Sequence, residues 1–377
     1  MNHSLNLINL VYDLLSYSTI IILLFYLFKQ KKIFAVHFIL LSFFCVTPFL
    51  LNNILFDYME FPDQIKYARG ANNFRTGAAF FQGIGGPTDL SVWTASLMFS
   101  LFPVISFHSI NTIAFINKVI IVYLFLFFKD KNVSKFFIYS LILFPSIIIY
   151  SSLALRDIGI IFFMIMFAYY FFKGRVVIAT IFFVILFLLK PQNALTIIIM
   201  LTAFKLLFEL KNYTLNGIII LIGIVIVLGF NEQILQQLNN YRLGFFTEYN
   251  GYSEELNQYY EDDRTLSLDL KSFYLSFFQY LKTFMYPLSD ELSLNKIIFF
   301  LDNILFSILF LINCLVLYKK NTKYVIFWFL LYIIMNVLLS IITMNEMTLL
   351  RYKMPWVIFF IFCLSYTCNN QKIKPKD

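Results

Sequence analysis

The 377-residue chain holds seven arginines beside twenty-two lysines. Six of the arginines, Arg69, Arg75, Arg156, Arg242, Arg264 and Arg351, fall in segments that the charge pattern assigns to the outer side of a membrane. Lysine would serve solubility equally well in a chain so rich in Ile, Lys, Asn and Phe. Arginine adds a planar fork of donors that grips phosphate bidentately. The group therefore points to an anionic ligand. The plainer reading is salt bridging with the acids of the same segments.

Several of these cations have informative neighbours. Arg156 is followed by Asp157 in SSLALRDIGIIFF, at the mouth of a tight helical hairpin. The carboxylate would stand in the first turn of a helix, where the macrodipole favours it. It is read either as a helix-terminal charge or as a group that orients the arginine and acts as a base. Lys190, before Pro191, occupies the next outer turn, so two or three cations at one corner would suit a diphosphate. Arg351, Tyr352 and Lys353 open the last apolar run, after Glu346, and serve as ligand contacts or as an interfacial anchor. Asp63 follows Pro62 in FPDQIKYARG and is an N-cap or a carboxylate facing a headgroup cavity. Asp63, Asp157 and Glu346 are thus the candidate bases. Asp13, Lys118 and Asp302 lie in apolar runs, where charge is expensive. The two acids sit near span ends and are expected to snorkel. Lys118 is central and is expected to make a polar contact between helices.

The elements that must position these residues follow from composition. Hydrophobic residues make up 60% of the chain, charged residues 13%, and mean hydropathy is +0.78. A soluble domain carries about 25% charged residues, so an ordinary soluble enzyme, a disordered chain and a disulfide-stapled secreted domain are excluded. Forty-eight Phe within long apolar runs exclude the alternating strands of a β-barrel. The expected fold is all-α: a polytopic membrane protein, one transmembrane domain over residues 1–377. Spans are read near 9–28, 33–56, 110–128, 136–151, 157–172, 176–190, 193–210, 214–230, 293–317, 324–343 and 355–369, about eleven in all.

Sidedness follows from the short basic loops at 29–32, 129–135, 173–175, 205–211 and 319–323 and the tail at 372–376. Placing these in the cytoplasm satisfies the positive-inside rule. Residues 89–107 are apolar enough to cross, but a crossing there would invert every later basic loop, so they are read as an interfacial or re-entrant helix. Two outer loops remain. The first covers 57–109 with that interfacial helix; the second covers 231–292 and ends in an amphipathic helix. The second offers Tyr249, Tyr252, Tyr259 and Tyr260, whose faces could cover sugar C–H surfaces.

No nucleotide-binding glycine loop and no HExxH or CxxC string occurs. The four cysteines lie in or beside apolar runs, and no cleavable signal peptide is evident. Neither a cofactor, a metal nor nucleic acid is expected.

The ordered set of an FPS-initiated hairpin ending SSLALRD, a lysine–proline at the next outer turn, and RYKMP opening the last span resembles the Wzy-type polymerases of bacterial surface polysaccharide and their EpsG-like relatives. FPDQIKYA and SFFQYLKTFMYP are similar to features of the wider GT-C-like membrane glycosyltransferases. Many relatives have arginine where this chain has Lys190, which cannot make the bidentate pair. The resemblance implies a glycosyltransferase of the bacterial inner membrane, active at the periplasmic face. It would join undecaprenyl-diphosphate-linked oligosaccharide units into O-antigen or capsule, with a chain-length regulator as a further partner. Its diphosphate ligands would come from Arg156, Arg351, Lys190, Arg69, Arg75, Arg264, Tyr352 and Lys353. Two other readings stand beside it: a GT-C-like transferase using a polyprenyl-phosphate sugar, and a flippase for lipid-linked oligosaccharide. A flippase would line its spans with cations, whereas here the charges gather at the outer mouth.

Overall fold

A computed structural model describes residues 7–52, 54–56, 61, 63–77, 87–104, 109–208, 236, 294–342 and 346–370. The span read at 214–230 and the loop 231–292, with Arg242, Arg264 and the four tyrosines, lie outside the described residues, as does the side chain of Glu346. The described residues form α-helices and no strand. In order they are α1 (Leu7–Lys29), α2 (Ala35–Leu51), α3 (Asp63–Arg75), α4 (Pro87–Ser100), α5 (Asn111–Lys129), α6 (Lys135–Leu143), α7 (Pro145–Ser152), α8 (Asp157–Phe172), α9 (Val176–Leu189) and α10 (Pro191–Phe208), then α11 (Leu294–Tyr318), α12 (Thr322–Ile342) and α13 (Glu346–Asn370).

The described residues are all-helical, consistent with a membrane protein. Among the described residues α1, α5, α10 and α12 are long and apolar enough to cross a membrane, and the bent pair α6 and α7 makes a fifth candidate span. The chain divides into two compact units, residues 1–197 with 361–377, and residues 198–360.

Proline sets the breaks in the first unit. Residues 136–151, read from sequence as one span, are two helices bent by 48°. Pro145 cannot donate to the preceding turn, and Phe144 before it is driven to extended backbone, φ −71° and ψ 129°. The same rule ends α9: Lys190, preceding Pro191, has φ −155° and ψ 87°. Pro48 inside α2 leaves the Phe44 carbonyl without its helical donor. The Thr47 hydroxyl supplies that bond instead, at 2.9 Å. Gly77 and Gly174 take positive φ, 76° and 67°, just after α3 and in the α8–α9 turn.

The lysine-rich turns of this unit gather at one end. Lys129 Nζ donates to the Lys32 carbonyl, joining the α1–α2 and α5–α6 turns. The end of α13 docks there too: Asn132 and Asn370 exchange side-chain amide bonds with the Asn369 and Asn132 carbonyls, both at 2.7 Å. Tyr169 at the foot of α8 meets Tyr366 at 5.7 Å. The helices then run to the opposite end, where α3 and α4 pack together and α4 lies on α9. There the sequence reading of Asp13 needs correction. It does not snorkel; it is buried, and its Oδ2 accepts from Asn111 Nδ2 at 2.8 Å, while Asn52 Nδ2 donates to Asn111 Oδ1 at 2.8 Å. An ionised or neutral carboxyl near a span end can find amide partners inside the bundle instead of water.

In the second unit, α11 packs on α12. Tyr332 stacks on Phe310 at 4.1 Å, and the fully buried Trp328 stacks on Phe204 at 5.3 Å and meets Phe359 and Phe360 edge-on or tilted.

Candidate functional site

The loop 153–156 between α7 and α8 is the best-built feature of the end opposite the lysine turns. Leu153, Ala154 and Leu155 are fully buried, which is unusual for a loop. Non-helical backbone inside a membrane bundle must have its polar groups satisfied by protein. Here Asn117 Nδ2, from α5, donates to the Leu153 and Leu155 carbonyls at 3.0 and 2.9 Å. Gln64 Oε1, from α3, accepts from the Ala154 amide at 2.8 Å. The Leu155 amide turns back to the Leu153 carbonyl at 2.9 Å.

The approach to the loop is fixed by the next residue of α5. Lys118 is fully buried and donates to Ser151 Oγ at 2.7 Å and to the Ile148 carbonyl at 3.2 Å, with its Nζ 3.9 Å from the Phe44 ring centroid. A donor there meets the carbonyl end of α7, whose last carbonyls lack helical partners. The expected polar contact between helices is what forms. Thr47 Oγ1, from α2, lies 2.8 Å from Ser152 Oγ.

Arg156 and Asp157 emerge from this loop. Asp157 is the first residue of α8 and is 2% exposed. Arg156 is half-buried. Its guanidinium sits 5.9 Å from the centroid of buried Tyr67 and one Nη donates to Ser91 Oγ. A cation over an aromatic face with one side-chain hydrogen bond is oriented, and among the described residues that bond engages one of its five donors. Close approach of the elements makes this possible. A methyl group on Gly70 of α3 would meet Ser96 Oγ of α4 at 2.3 Å, and one on Gly159 of α8 would meet Met98 Cε at 2.9 Å.

The other sequence candidates fall in three places. Lys190 joins the corner's end by topology: α8 and α9, of 16 and 14 residues, form an antiparallel hairpin through a three-residue turn, 173–175. At about 1.5 Å per residue the end of α9 returns to the level of Asp157. Asp63 and Arg69 lie on α3, Asp63 in a 3.2 Å ion pair with Lys66 at the surface, and Arg69 exposed. Arg75 is differently used. Its Nε donates to the Ser100 carbonyl at 3.1 Å, and its two Nη groups to the Val104 and Phe102 carbonyls. The fork caps the end of α4. That helix is only 14 residues, covering 87–100, so the apolar segment 89–107 does not form one continuous span-length helix.

Arg351, Tyr352 and Lys353 belong to the second unit. The sequence places them in a short loop before the last span; they are instead inside α13, which starts at Glu346. Lys353 is buried and its two neighbours are half-buried. Pro355, within the helix, cannot donate to the Arg351 carbonyl.

Sequence reasoning missed Gln64, Ser91 and Asn117. Asn117 had a signal: it stands beside Lys118 in the otherwise apolar IAFINKVIIV, and a polar residue in a span calls for a partner. Gln64 and Ser91 sit in mixed segments where neither type stands out. Compared with family models, with curated proteins and with solved structures, the chain matches none of them.

Proposed function

We propose that this protein is a polysaccharide polymerase of the bacterial inner membrane, joining undecaprenyl-diphosphate-linked oligosaccharide units at the periplasmic face. The observation that carries the reading is the corner at 153–157. It combines an oriented arginine, which among the described residues engages one of its five donors, and a buried carboxylate at a helix N-terminus. It also lies at the end of the first unit away from the lysine-rich turns. With those turns in the cytoplasm, the corner faces the periplasm. In this reading ten of the eleven expected spans correspond to α1, α2, α5, the α6–α7 pair and α8 to α13.

The chemistry asks little of the protein. The acceptor hydroxyl oxygen bonds to the anomeric carbon of the donor glycan as the bond from that carbon to the lipid diphosphate breaks. The hydroxyl proton passes to a carboxylate, and the diphosphate leaves with its added negative charge. Arg156 stabilises that leaving charge, with Lys190, at the same end of the α8–α9 hairpin, as a second point charge. Asp157 is the preferred base over Asp63, because it is buried next to Arg156 at the start of α8, whereas Asp63 is half-exposed at the surface. Arg75 is left out of the ligand set, since each of its three nitrogens donates to a carbonyl at or just past the end of α4.

The test is a deletion strain complemented with variants, its surface glycan resolved by length on a gel. Wild-type complementation should restore long chains, and Arg156→Ala should leave a single repeat unit on the lipid core. Loss of all surface repeat units in the deletion strain would indicate a flippase or an earlier step. Full-length polymer with Arg156→Ala would overturn the assignment of the diphosphate site.

A further inference from the structure

We infer that Gln64 and Asn117 are positioning residues that set the direction of Arg156 by holding the loop 153–156 from two sides; the inference rests on the proposed role of Arg156 as the diphosphate ligand. Three observations carry it. Both side chains are fully buried, so neither serves solubility. Each spends its bonds on the backbone of this one loop: Asn117 on two carbonyls, Gln64 on the amide between them. And they come from different elements, α5 within the bundle and α3, which also supplies Tyr67 under the guanidinium.

The physical need is clear from the sequence of the loop. Leu153, Ala154 and Leu155 offer no side-chain acceptor or donor of their own. Their backbone polar groups are buried and must be met from outside. The two carbonyls of Leu153 and Leu155 face a single amide group, which fixes their spacing. The Ala154 amide faces the other way, to Gln64. A loop so pinned has little freedom to rotate, and Arg156 is the next residue along. Gln64 Nε2 and Asn117 Oδ1 are buried without a hydrogen-bond partner among the described residues. Each amide therefore keeps the loop bonds at the cost of leaving its other end unmet.

The test uses full-length protein purified in detergent, with two readouts. Backbone hydrogen exchange over 153–157 reads the loop, and binding of farnesyl diphosphate reads the diphosphate site. Gln64→Met keeps size and removes the acceptor; Gln64→Glu keeps the acceptor. Asn117→Leu keeps shape and removes both donors. The expected result is faster exchange over the loop and about tenfold weaker probe binding for Gln64→Met and Asn117→Leu, as for loss of one or two ordinary hydrogen bonds. Gln64→Glu should restore both readouts. In an Arg156→Ala background Gln64→Met should weaken binding no further, because it acts through the arginine.

Unchanged exchange over 153–157 in Gln64→Met overturns the inference. So does faster exchange with wild-type probe affinity, provided Arg156→Ala itself binds weakly; the diphosphate site then stands without its positioning pair. If Arg156→Ala binds the probe as tightly as wild type, the diphosphate reading itself fails and takes the inference with it. If Asn117→Leu does not assemble, the contrast between Gln64→Met and Gln64→Glu decides alone.

Discussion

The two ends of the first unit are built from the same kinds of residue and use them in opposite ways. At the lysine-rich end, Lys129, Asn132 and Asn370 tie exposed turns together through carbonyls that water could equally satisfy. At the other end, Asn117 and Gln64 bond to backbone, and Lys118 to the Ser151 hydroxyl, at sites that water does not reach. An exposed bond is exchanged for water at little net cost, while a buried partner left alone costs the full desolvation of that group. The exposed turn bonds of the first end can change at little cost. The second is over-determined, and over-determined backbone is what a group needing a fixed direction requires.

The largest expected effect is at the arginines, and it separates two that look alike in sequence. Arg156→Ala should lower chain extension at least about a hundredfold, the scale of losing a preorganised charge donor, with assembly intact. Arg156→Lys should recover only part of it, since the fork is lost. Arg75→Ala should do the reverse. Its fork caps the exposed end of α4, so the variant should melt slightly earlier in detergent, by no more than about 1 kcal/mol of stability, while the folded fraction still makes long polymer. Equal loss of polymer in both, at equal amounts of folded protein, would erase the contrast.

That contrast also marks what the sequence could tell. The helices were legible because long apolar runs broken by Pro and Lys leave few alternatives: α8 and α9 fall at 157–172 and 176–189 against expected spans of 157–172 and 176–190. Arg156 beside Asp157 was legible as a pair at a helix start for the same reason. The partners were not. Whether Arg75 meets a ligand or the end of α4 depends on where residues 25 to 29 positions later fold back, which no local spacing encodes. Asp13 was misread on the same ground, because Asn111 reaches it from α5 and is itself held by Asn52 at the end of α2. Proline's effect in FPS was legible as a motif but not as a bend, since a kinked helix and a straight one share a hydropathy profile.

A middle-sized effect tests how tightly the corner's end is packed. Gly70→Ala would put a Cβ 2.3 Å from Ser96 Oγ and 2.8 Å from Ser96 Cβ, inside any tolerable contact. Overpacking of this kind costs about 1–3 kcal/mol. The thermal midpoint in detergent should fall, and chain extension should fall with it, because α3 carries Gln64 and Tyr67. Adding Ser96→Gly should return both, as the two positions share one gap. A double variant no better than Gly70→Ala would mean that α3 and α4 are not held at this distance in the membrane.

The smallest effect belongs to the lysine-rich end, and it is the one that makes the comparison quantitative. Asn132→Ala removes an exposed amide that donates to Asn369 at 2.7 Å, but the Asn132 carbonyl stays to accept from Asn370. The lost partner is a carbonyl at a helix end, which water can satisfy. Stability should therefore change by less than about 0.5 kcal/mol, the ordinary range for surface substitutions. The glycan length distribution should match wild type, whereas Asn117→Leu, which also removes an asparagine amide, should shorten it. The two asparagines donate over similar distances, 2.7 Å against 2.9 and 3.0 Å. Burial, the number of bonds (one against two) and the segment they hold differ. A shortened polymer from Asn132→Ala would show that the docking of α13 on the α5–α6 turn is felt at the far end of the bundle. The independence of the two ends would then be lost.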